Sequence, residues 1–136
     1  MERQTQVLDA SVAVKWFCDE EDADKALRIK EDYKSGRIDL IVPELLFIEL
    51  INVLKYKKAD EGKLLEINDF LWGAGFKIER INKTILDSAI RLSKKYSLTI
   101  YDAIYLAVAN LNSSQLISAD EQLCSIPGVM SLKEVQ

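Results

Sequence analysis

The chain has 136 residues, of which 49% are hydrophobic, and it carries a formal net charge of −4 at pH 7. This apolar content is enough to bury a core without disulfide bonds, so we expect one domain over residues 1–136. Histidine is absent, which excludes a histidine general base, a Ser-His-Asp triad and imidazole metal ligands. The two cysteines, Cys18 and Cys124, follow no ligand spacing and are expected to be free thiols.

The start of the chain shows no secretory signal pattern, because residues 1–6 are polar and the apolar run after them is short. No apolar run approaches the roughly 20 residues that cross a bilayer, so a cytoplasmic protein is expected. The acidic composition supplies no overall basic surface for nucleic acid. Basic residues do cluster at 55–58 and 91–95, which fits either an RNA contact or ordinary solvated helix ends.

The predicted elements alternate between strands and helices along the chain. In order they are a strand at 6–8, helices at 12–17 and 23–33, a strand at 39–42, helices at 44–58 and 63–72, a strand at 76–80, helices at 83–96 and 100–110, a strand at 115–118, a helix at 121–124 and a strand at 129–131. The alternating pattern at 76–80 is typical of a strand near a sheet edge. Strands that alternate with helices predict an α/β fold, in which a parallel sheet lies between two layers of helices.

Two aspartates follow predicted strands at turns into helices, Asp9 after the first strand and Asp120 after the fourth. Ligands bind at the carboxyl ends of strands in open α/β sheets, so Asp9 and Asp120 can face one crevice. The alternative for each is an aspartate that caps the next helix. Ser11 suits the N-cap of the helix at 12–17. The hydroxyls of Ser11 and Ser118 either cap helices or bond a carboxylate or a metal-bound water.

Glu49 lies on the apolar face of the helix at 44–58, among leucines and valines at spacings of three and four. It therefore points inward, either as a ligand in a site or as one half of a buried salt bridge. At the start of this helix, Pro43 fits the first turn and Glu44 suits the helix dipole.

Asp102 lies in the most apolar helical stretch, where eight of the nine residues at 101–109 are apolar or aromatic. Such a helix is normally buried, and a lone buried carboxylate is costly unless it is paired or binds a metal. The alternative is a cap, in which Thr99 is the N-cap and Asp102 the third helical residue of a capping-box-like start.

These four acids predict a metal site if they share one pocket. Four clustered carboxylates repel one another, and a divalent cation relieves that repulsion. Oxygen ligands suit Mg²⁺ or Mn²⁺, and two such ions can promote an in-line phosphoryl displacement without histidine.

Four motifs, in this order and spacing, resemble the PIN domain, most closely the VapC-like toxins of prokaryotic toxin–antitoxin pairs. The motifs are Leu8-Asp9-Ala10-Ser11, Glu49 at the end of the segment 43–49, Tyr101-Asp102-Ala103, and Ser118-Ala119-Asp120. The resemblance implies a five-stranded parallel sheet, a Mg²⁺- or Mn²⁺-dependent ribonuclease, and a homodimer held by an antitoxin. The acidic quartet of the family corresponds to Asp9, Glu49, Asp102 and Asp120, and Ser118 matches a serine or threonine position.

The leading hypothesis is therefore a metal-dependent endoribonuclease that acts on single-stranded or looped RNA. One alternative is an aspartyl-phosphate receiver or phosphatase-like domain with Asp9 or Asp120 as acceptor, although no lysine stands at a strand end beside these acids. The other is a non-catalytic PIN-like module that binds a partner. Phe47, Phe70 and Trp72 give the helices at 44–58 and 63–72 much apolar surface, which predicts a homodimer through these helices.

Overall fold

The computed structural model describes residues 3–136, and its centre is a sheet of five strands. The strands are all parallel and lie in the order β3-β2-β1-β4-β5, which confirms the predicted α/β fold with β3 at an edge. They are β1 (Gln4–Leu8), β2 (Ile38–Pro43), β3 (Lys77–Glu79), β4 (Gln115–Ser118) and β5 (Met130–Ser131). Parallel strands need crossover connections, and these cover the two faces of the sheet with helices.

Strand β1 lies at the centre of the sheet, where the order of the strands reverses. Val7 is beside Ile41 of β2 on one side and beside Leu116 of β4 on the other. A reversal of this kind opens a crevice at the carboxyl ends of the two neighbouring strands. Asp9 directly follows β1 and Asp120 closely follows β4, so the topology brings both residues to this crevice.

The helices connect these strands and lie close to their predicted positions. They are α1 (Ala10–Ala13), which continues as a 3-10 turn (Val14–Trp16), α2 (Ala23–Lys34), α3 (Leu45–Tyr56), α4 (Glu61–Gly73), α5 (Lys83–Tyr96), α6 (Ile100–Leu111) and α7 (Glu121–Cys124), with a last 3-10 turn at Leu132–Glu134. Side-chain caps fix several starts: Asp60 accepts from the Lys63 N–H and Asn82 from the Ile85 N–H. Within residues 3–136, no helix is long and apolar enough to cross a membrane.

Helix α6 forms the middle of the hydrophobic core. Its residues 103–109 are all buried, as the sequence predicts. The helix packs along α5 and contacts β1, β2 and β4. Burial of one large apolar side chain contributes about 1.5–3 kcal/mol, so α6 is firmly held against the sheet. Asp102 is in the first turn of this helix, and the packing of α6 therefore fixes where Asp102 can reach.

The predicted start of the first helix is wrong. Helix α1 begins at Ala10 instead of residue 12, and its N-cap is Asp9 rather than Ser11. The reason is local, because the Asp9 carboxylate accepts a hydrogen bond from the Val12 N–H at 3.3 Å. The Ser11 hydroxyl is then available for another contact, which is described below.

The predicted start of α3 is also wrong in one detail, the place of Pro43. Pro43 ends β2 and does not begin the helix, because the chain stays with the sheet until the Glu44 N–H donates to the Glu79 carbonyl. The Glu44 carboxylate makes no side-chain cap of α3. It accepts a hydrogen bond from the Ile81 N–H at 3.1 Å, which ties the start of α3 to the chain beyond β3.

Candidate functional site

The four acids singled out in the sequence line one pocket of about 210 Å³ at the carboxyl edge of the sheet. Asp9 reaches it from the end of β1 and Asp120 from the chain after β4, while Glu49 projects from α3 and Asp102 from the first turn of α6. Tyr105 also lines the pocket. The fold thus assembles residues that are far apart in the sequence.

Asp9 is the most deeply buried of these acids, with 4% of its surface exposed. Ser11 Oγ donates to Asp9 Oδ1 at 2.5 Å, and Ser118 Oγ donates to Oδ2 at 2.5 Å. Burial raises the pKa of Asp9 to about 6, although these two hydrogen bonds and the one from Val12 act to lower it; the charge of Asp102 also raises it. Asp9 is therefore mostly ionised at neutral pH, and its buried charge lowers the stability of the folded state.

The two serines hold Asp9 and also accept hydrogen bonds from backbone N–H groups that follow β4. Ser11 Oγ accepts from the Ala119 N–H at 2.9 Å, and Ser118 Oγ accepts from the Asp120 N–H at 3.0 Å. Ser118 is fully buried in β4. Of the two options open in the sequence, the structure places these hydroxyls on a carboxylate rather than on a helix end as N-caps.

Glu49 is half-buried on α3 and its Oε1 accepts a hydrogen bond from the Tyr105 hydroxyl at 2.6 Å. Burial raises the pKa of Glu49 and the charge of Asp102 raises it further, while the bond from Tyr105 lowers it. Within the described residues no lysine or arginine pairs with Glu49. The salt bridge considered for Glu49 in the sequence is therefore not found in this part of the chain.

Asp102 combines a helix start with a place in the pocket. Thr99 is the N-cap of α6, as predicted, since its Oγ1 accepts from the Asp102 N–H at 3.1 Å. The Asp102 side chain itself is half-buried, and burial raises its pKa, with a further rise from the charge of Asp120. A side-chain hydrogen bond with Thr99 acts to lower this pKa, and the Asp102 carboxylate also lines the pocket.

Asp120 is the N-cap of the short helix α7. Its Oδ1 accepts from the Gln122 N–H at 2.8 Å and from the Leu123 N–H at 3.1 Å. The capping role considered in the sequence is thus present, and one carboxylate oxygen is engaged in it. Asp120 also lines the pocket and acts on Asp102 through its charge.

Tyr105 is the member of this pocket that the sequence interpretation missed. It was counted only among the apolar residues of α6, and it is 1% exposed. Burial raises the pKa of its hydroxyl, as do the charges of Glu49, Asp9 and Asp102. One signal was available in the sequence, since Tyr105 stands three residues after Asp102 and so shares its face of the helix.

The donor set of the pocket fits a hard divalent cation. It consists of carboxylate oxygens, and Mg²⁺ and Mn²⁺ prefer such ligands. Three of the acids have raised pKa values and the pocket lining includes no basic side chain among residues 3–136, so positive charge from a cation would relieve the repulsion among these acids. In that same part of the chain, no three acid or cysteine side chains converge on one point as ligands. The four carboxylates would therefore have to move closer together to hold one ion.

Comparison with known proteins identifies relatives of the same fold. The family model described as the PIN domain matches residues 7–129. Among curated proteins no sequence matches at a significant level. A toxin–antitoxin complex from Klebsiella pneumoniae is similar in structure, with 22% identity, a TM-score of 0.72, and coverage of 93% of this chain and 97% of that one.

Two further solved structures resemble the chain at lower identity. VapC20 from Mycobacterium tuberculosis, a toxin that cleaves the sarcin–ricin loop, has 12% identity and a TM-score of 0.73, and the match covers 91% of this chain and 96% of that one. VapBC2 from Rickettsia felis, bound to a DNA fragment from its promoter, has 10% identity and a TM-score of 0.69 over 94% and 97% of the two chains. At these identities the likeness shows the fold.

Proposed function

We propose, from the premise that this chain belongs to the PIN domain family, that it is a Mg²⁺- or Mn²⁺-dependent endoribonuclease and the toxin of a type II toxin–antitoxin pair. The observation that carries the proposal is the pocket lined by Asp9, Glu49, Asp102 and Asp120, in which three acids have raised pKa values and no basic residue of the described chain lines the walls. The VapC20 relative, a toxin that cleaves the sarcin–ricin loop, supports a nuclease activity.

In this proposal the four carboxylates are the ligands and no histidine is needed. A bound Mg²⁺ or Mn²⁺ supplies positive charge that makes water a better nucleophile near neutral pH and stabilises the oxygens of a phosphodiester during displacement. The acids hold that charge at the carboxyl edge of the sheet. Ser11 and Ser118 support the site because they fix both oxygens of Asp9.

RNA binding has to contend with the negative charge of the chain. The carboxylates of the pocket repel a phosphate, so the backbone of RNA would approach only when a cation neutralises them. Basic side chains outside the pocket would supply the remaining attraction. Of the lysines at 55–58 near the end of α3, Lys57 pairs with Glu20 and Lys55 lines the apolar depressions along α3, so Lys58 is the candidate. RNA is the proposed substrate, in a single-stranded or looped form whose phosphates are accessible.

An antitoxin and a second copy of the chain are the proposed protein partners. Two adjoining apolar depressions of about 420 and 540 Å³ run between α3 and α4, and we call them the α3–α4 groove. Ile48 and Trp72 are well exposed in it, whereas Phe47 is buried beneath the Trp72 ring at 4.4 Å between centroids. Of the aromatic residues expected on this surface, Trp72 is thus available to a partner and Phe47 is not.

The relatives support these partners. The Klebsiella pneumoniae structure is a toxin–antitoxin complex. Apolar patches of several hundred Å² on a soluble protein usually mark an interface. We therefore propose the groove as protein-binding surface and keep the homodimer through α3 and α4 as a prediction.

The two alternatives from the sequence are less well supported. An aspartyl-phosphate site usually has a lysine beside the acceptor to bind the phosphate. Among the described residues no lysine lines this pocket. A non-catalytic module would not need four acids in one pocket, three of them with raised pKa values.

The test is RNA cleavage by the purified protein. We expect cleavage with manganese, none with EDTA, and none by Asp102→Asn with manganese. The matched control is Asp60→Asn, since Asp60 is an exposed N-cap of α4 outside the pocket, and asparagine caps equally well. Cleavage that survives EDTA or Asp102→Asn would contradict the proposal.

A further inference from the structure

Tyr105 is placed to fix the orientation of the Glu49 carboxylate. It lies one turn after Asp102 on α6 and lines the same pocket. Its ring is buried in the core, with 1% of the residue exposed, and its hydroxyl donates to Glu49 Oε1 at 2.6 Å. This bond joins α6 to α3 across 56 residues of sequence. It is a direct contact between the core helix and an acid of the proposed site.

The Glu49 side chain needs such a contact. A glutamate has three rotatable bonds, and fixing it in one orientation costs conformational entropy. No lysine or arginine of the described residues pairs with Glu49 to hold it. The Tyr105 hydroxyl engages Oε1 only, so Oε2 is left for another partner. Carboxylates that bind metals are usually held by hydrogen bonds of this kind.

We propose that Tyr105 is a positioning residue, which holds the carboxylate of Glu49 in place for a divalent cation. This inference rests on the proposed function, because it assumes that the pocket binds the cation. Tyr105 itself does not contact the cation in this account. Its ring anchors the hydroxyl through packing in α6, and the hydroxyl acts through Glu49.

The experiment measures manganese binding by titration calorimetry in Tyr105→Phe. This change keeps the buried ring and removes only the hydroxyl. Loss of such a supporting contact typically weakens metal binding about 10–100-fold, and we expect the dissociation constant for Mn²⁺ to rise in that range. The manganese concentration for half-maximal RNA cleavage should rise by a similar factor, while cleavage at saturating manganese returns towards the wild-type rate.

Tyr33→Phe is the matched control. Tyr33 also donates its hydroxyl at 2.8 Å, to the Ala74 carbonyl, and it lies outside the acidic pocket. The same chemical change there should leave the affinity for Mn²⁺ unaltered. Melting temperatures of both variants in EDTA measure any loss of stability. If Tyr105 had a purely structural role, Tyr105→Phe would lower the melting temperature without a specific loss of affinity for Mn²⁺.

A double-mutant cycle with Glu49→Gln separates positioning from other effects. If Tyr105 acts through Glu49, Tyr105→Phe should not weaken Mn²⁺ binding further once Glu49→Gln is present. The proposal is overturned if Tyr105→Phe binds Mn²⁺ as tightly as the wild type, or if it weakens the Glu49→Gln variant equally. In both cases the wild type still binds Mn²⁺, so the proposed metal site is not contradicted. Absence of Mn²⁺ binding by the wild type would instead overturn the proposed function together with this inference.

Discussion

The acidic pocket buries charged side chains, whereas the α3–α4 groove exposes apolar ones, and both are unusual in a folded protein. The pocket buries carboxylates, of which Asp9 is 4% exposed, whereas the groove leaves Ile48 69% exposed and Trp72 58% exposed. Helix α3 belongs to both regions, and its consecutive residues Ile48 and Glu49 face the groove and the pocket respectively. The proposed function assigns a cation to the first region and a protein partner to the second.

The two departures have different energetic consequences. A buried carboxylate destabilises the folded chain by an amount that depends on pH, because burial penalises its charged form. An exposed apolar side chain costs the monomer little, and its contribution appears only when a partner covers it. Changes in the pocket should therefore alter both chemistry and stability, whereas changes in the groove should alter association alone.

The largest expected effect is on activity. Asp9→Asn, Glu49→Gln and Asp102→Asn each keep the shape of the side chain and remove its charge, so each should lower RNA cleavage about 1000-fold or more, or roughly 4 kcal/mol. Cleavage rates at saturating manganese measure the effect. Ile48→Ser in the groove should keep its activity. A pocket variant with near wild-type turnover would remove that residue from the site.

The next effect concerns the stability of the metal-free protein. The pKa of Asp9 is raised from 3.8 to about 6 in the folded state, so the native chain holds this proton more tightly than the unfolded chain. The contribution of Asp9 is therefore fully present below pH 3.8 and is lost as pH rises through 6. Full loss corresponds to about 3 kcal/mol. In EDTA at pH 7.5, Asp9→Asn should be about 1–3 kcal/mol more stable than the wild type.

Urea unfolding of both proteins at pH 4 and pH 7.5 checks this expectation. The gap between Asp9→Asn and the wild type should be small at pH 4 and should widen at pH 7.5. Asp60→Asn is the control, because Asp60 also caps a helix but is exposed to solvent. It should show no such dependence on pH. A stability gap for Asp9→Asn that is the same at both pH values contradicts the account of the pocket.

The smallest expected effect is in the groove. Ile48→Ser should weaken self-association by about 1–2 kcal/mol, or roughly 5–30-fold in the dissociation constant, and leave the free energy of unfolding within about 0.5 kcal/mol. Light scattering over a concentration series measures the association. Leu111→Ser is the control, since Leu111 is 51% exposed at the end of α6 and does not line the groove. Equal effects of the two variants on association would count against a dimer through α3 and α4.

Much of the fold and of the pocket could be predicted from local patterns in the sequence. The alternation of strands and helices gave the parallel sheet, and Asp9 and Asp120 stand at strand ends that the topology brings together. Thr99 could be recognised as an N-cap because capping depends on neighbours within one turn. The apolar stretch 101–109 marked α6 as buried, and this made Asp102 conspicuous.

The contacts that were not predicted depend on partners far away in the chain. The sequence left open whether Ser11 and Ser118 cap helices or bond a carboxylate. Ser118 from β4 bonds Asp9 across 109 residues, and Ser11 accepts from the Ala119 N–H across 108 residues. Glu44 stands at the start of α3, as expected of a partner of the helix dipole, but its hydrogen bond from the Ile81 N–H beyond β3 was not predicted. Tyr105 looked like a core residue because only the position of α3 reveals its bond to Glu49. Sequence periodicity gives the face of a helix but not the residue opposite it.

The central claim is that the buried acids form a cation site, and thermal melts of the wild type and Asp102→Asn in EDTA and in millimolar manganese test it most directly. Manganese should stabilise the wild type by about 2.7 kcal/mol at a hundred times the dissociation constant and stabilise Asp102→Asn much less. In EDTA, Asp102→Asn should be at least as stable as the wild type, because the change removes repulsion among the acids. A wild-type melting temperature unmoved by manganese, with Asp102→Asn clearly less stable in EDTA, would contradict the account.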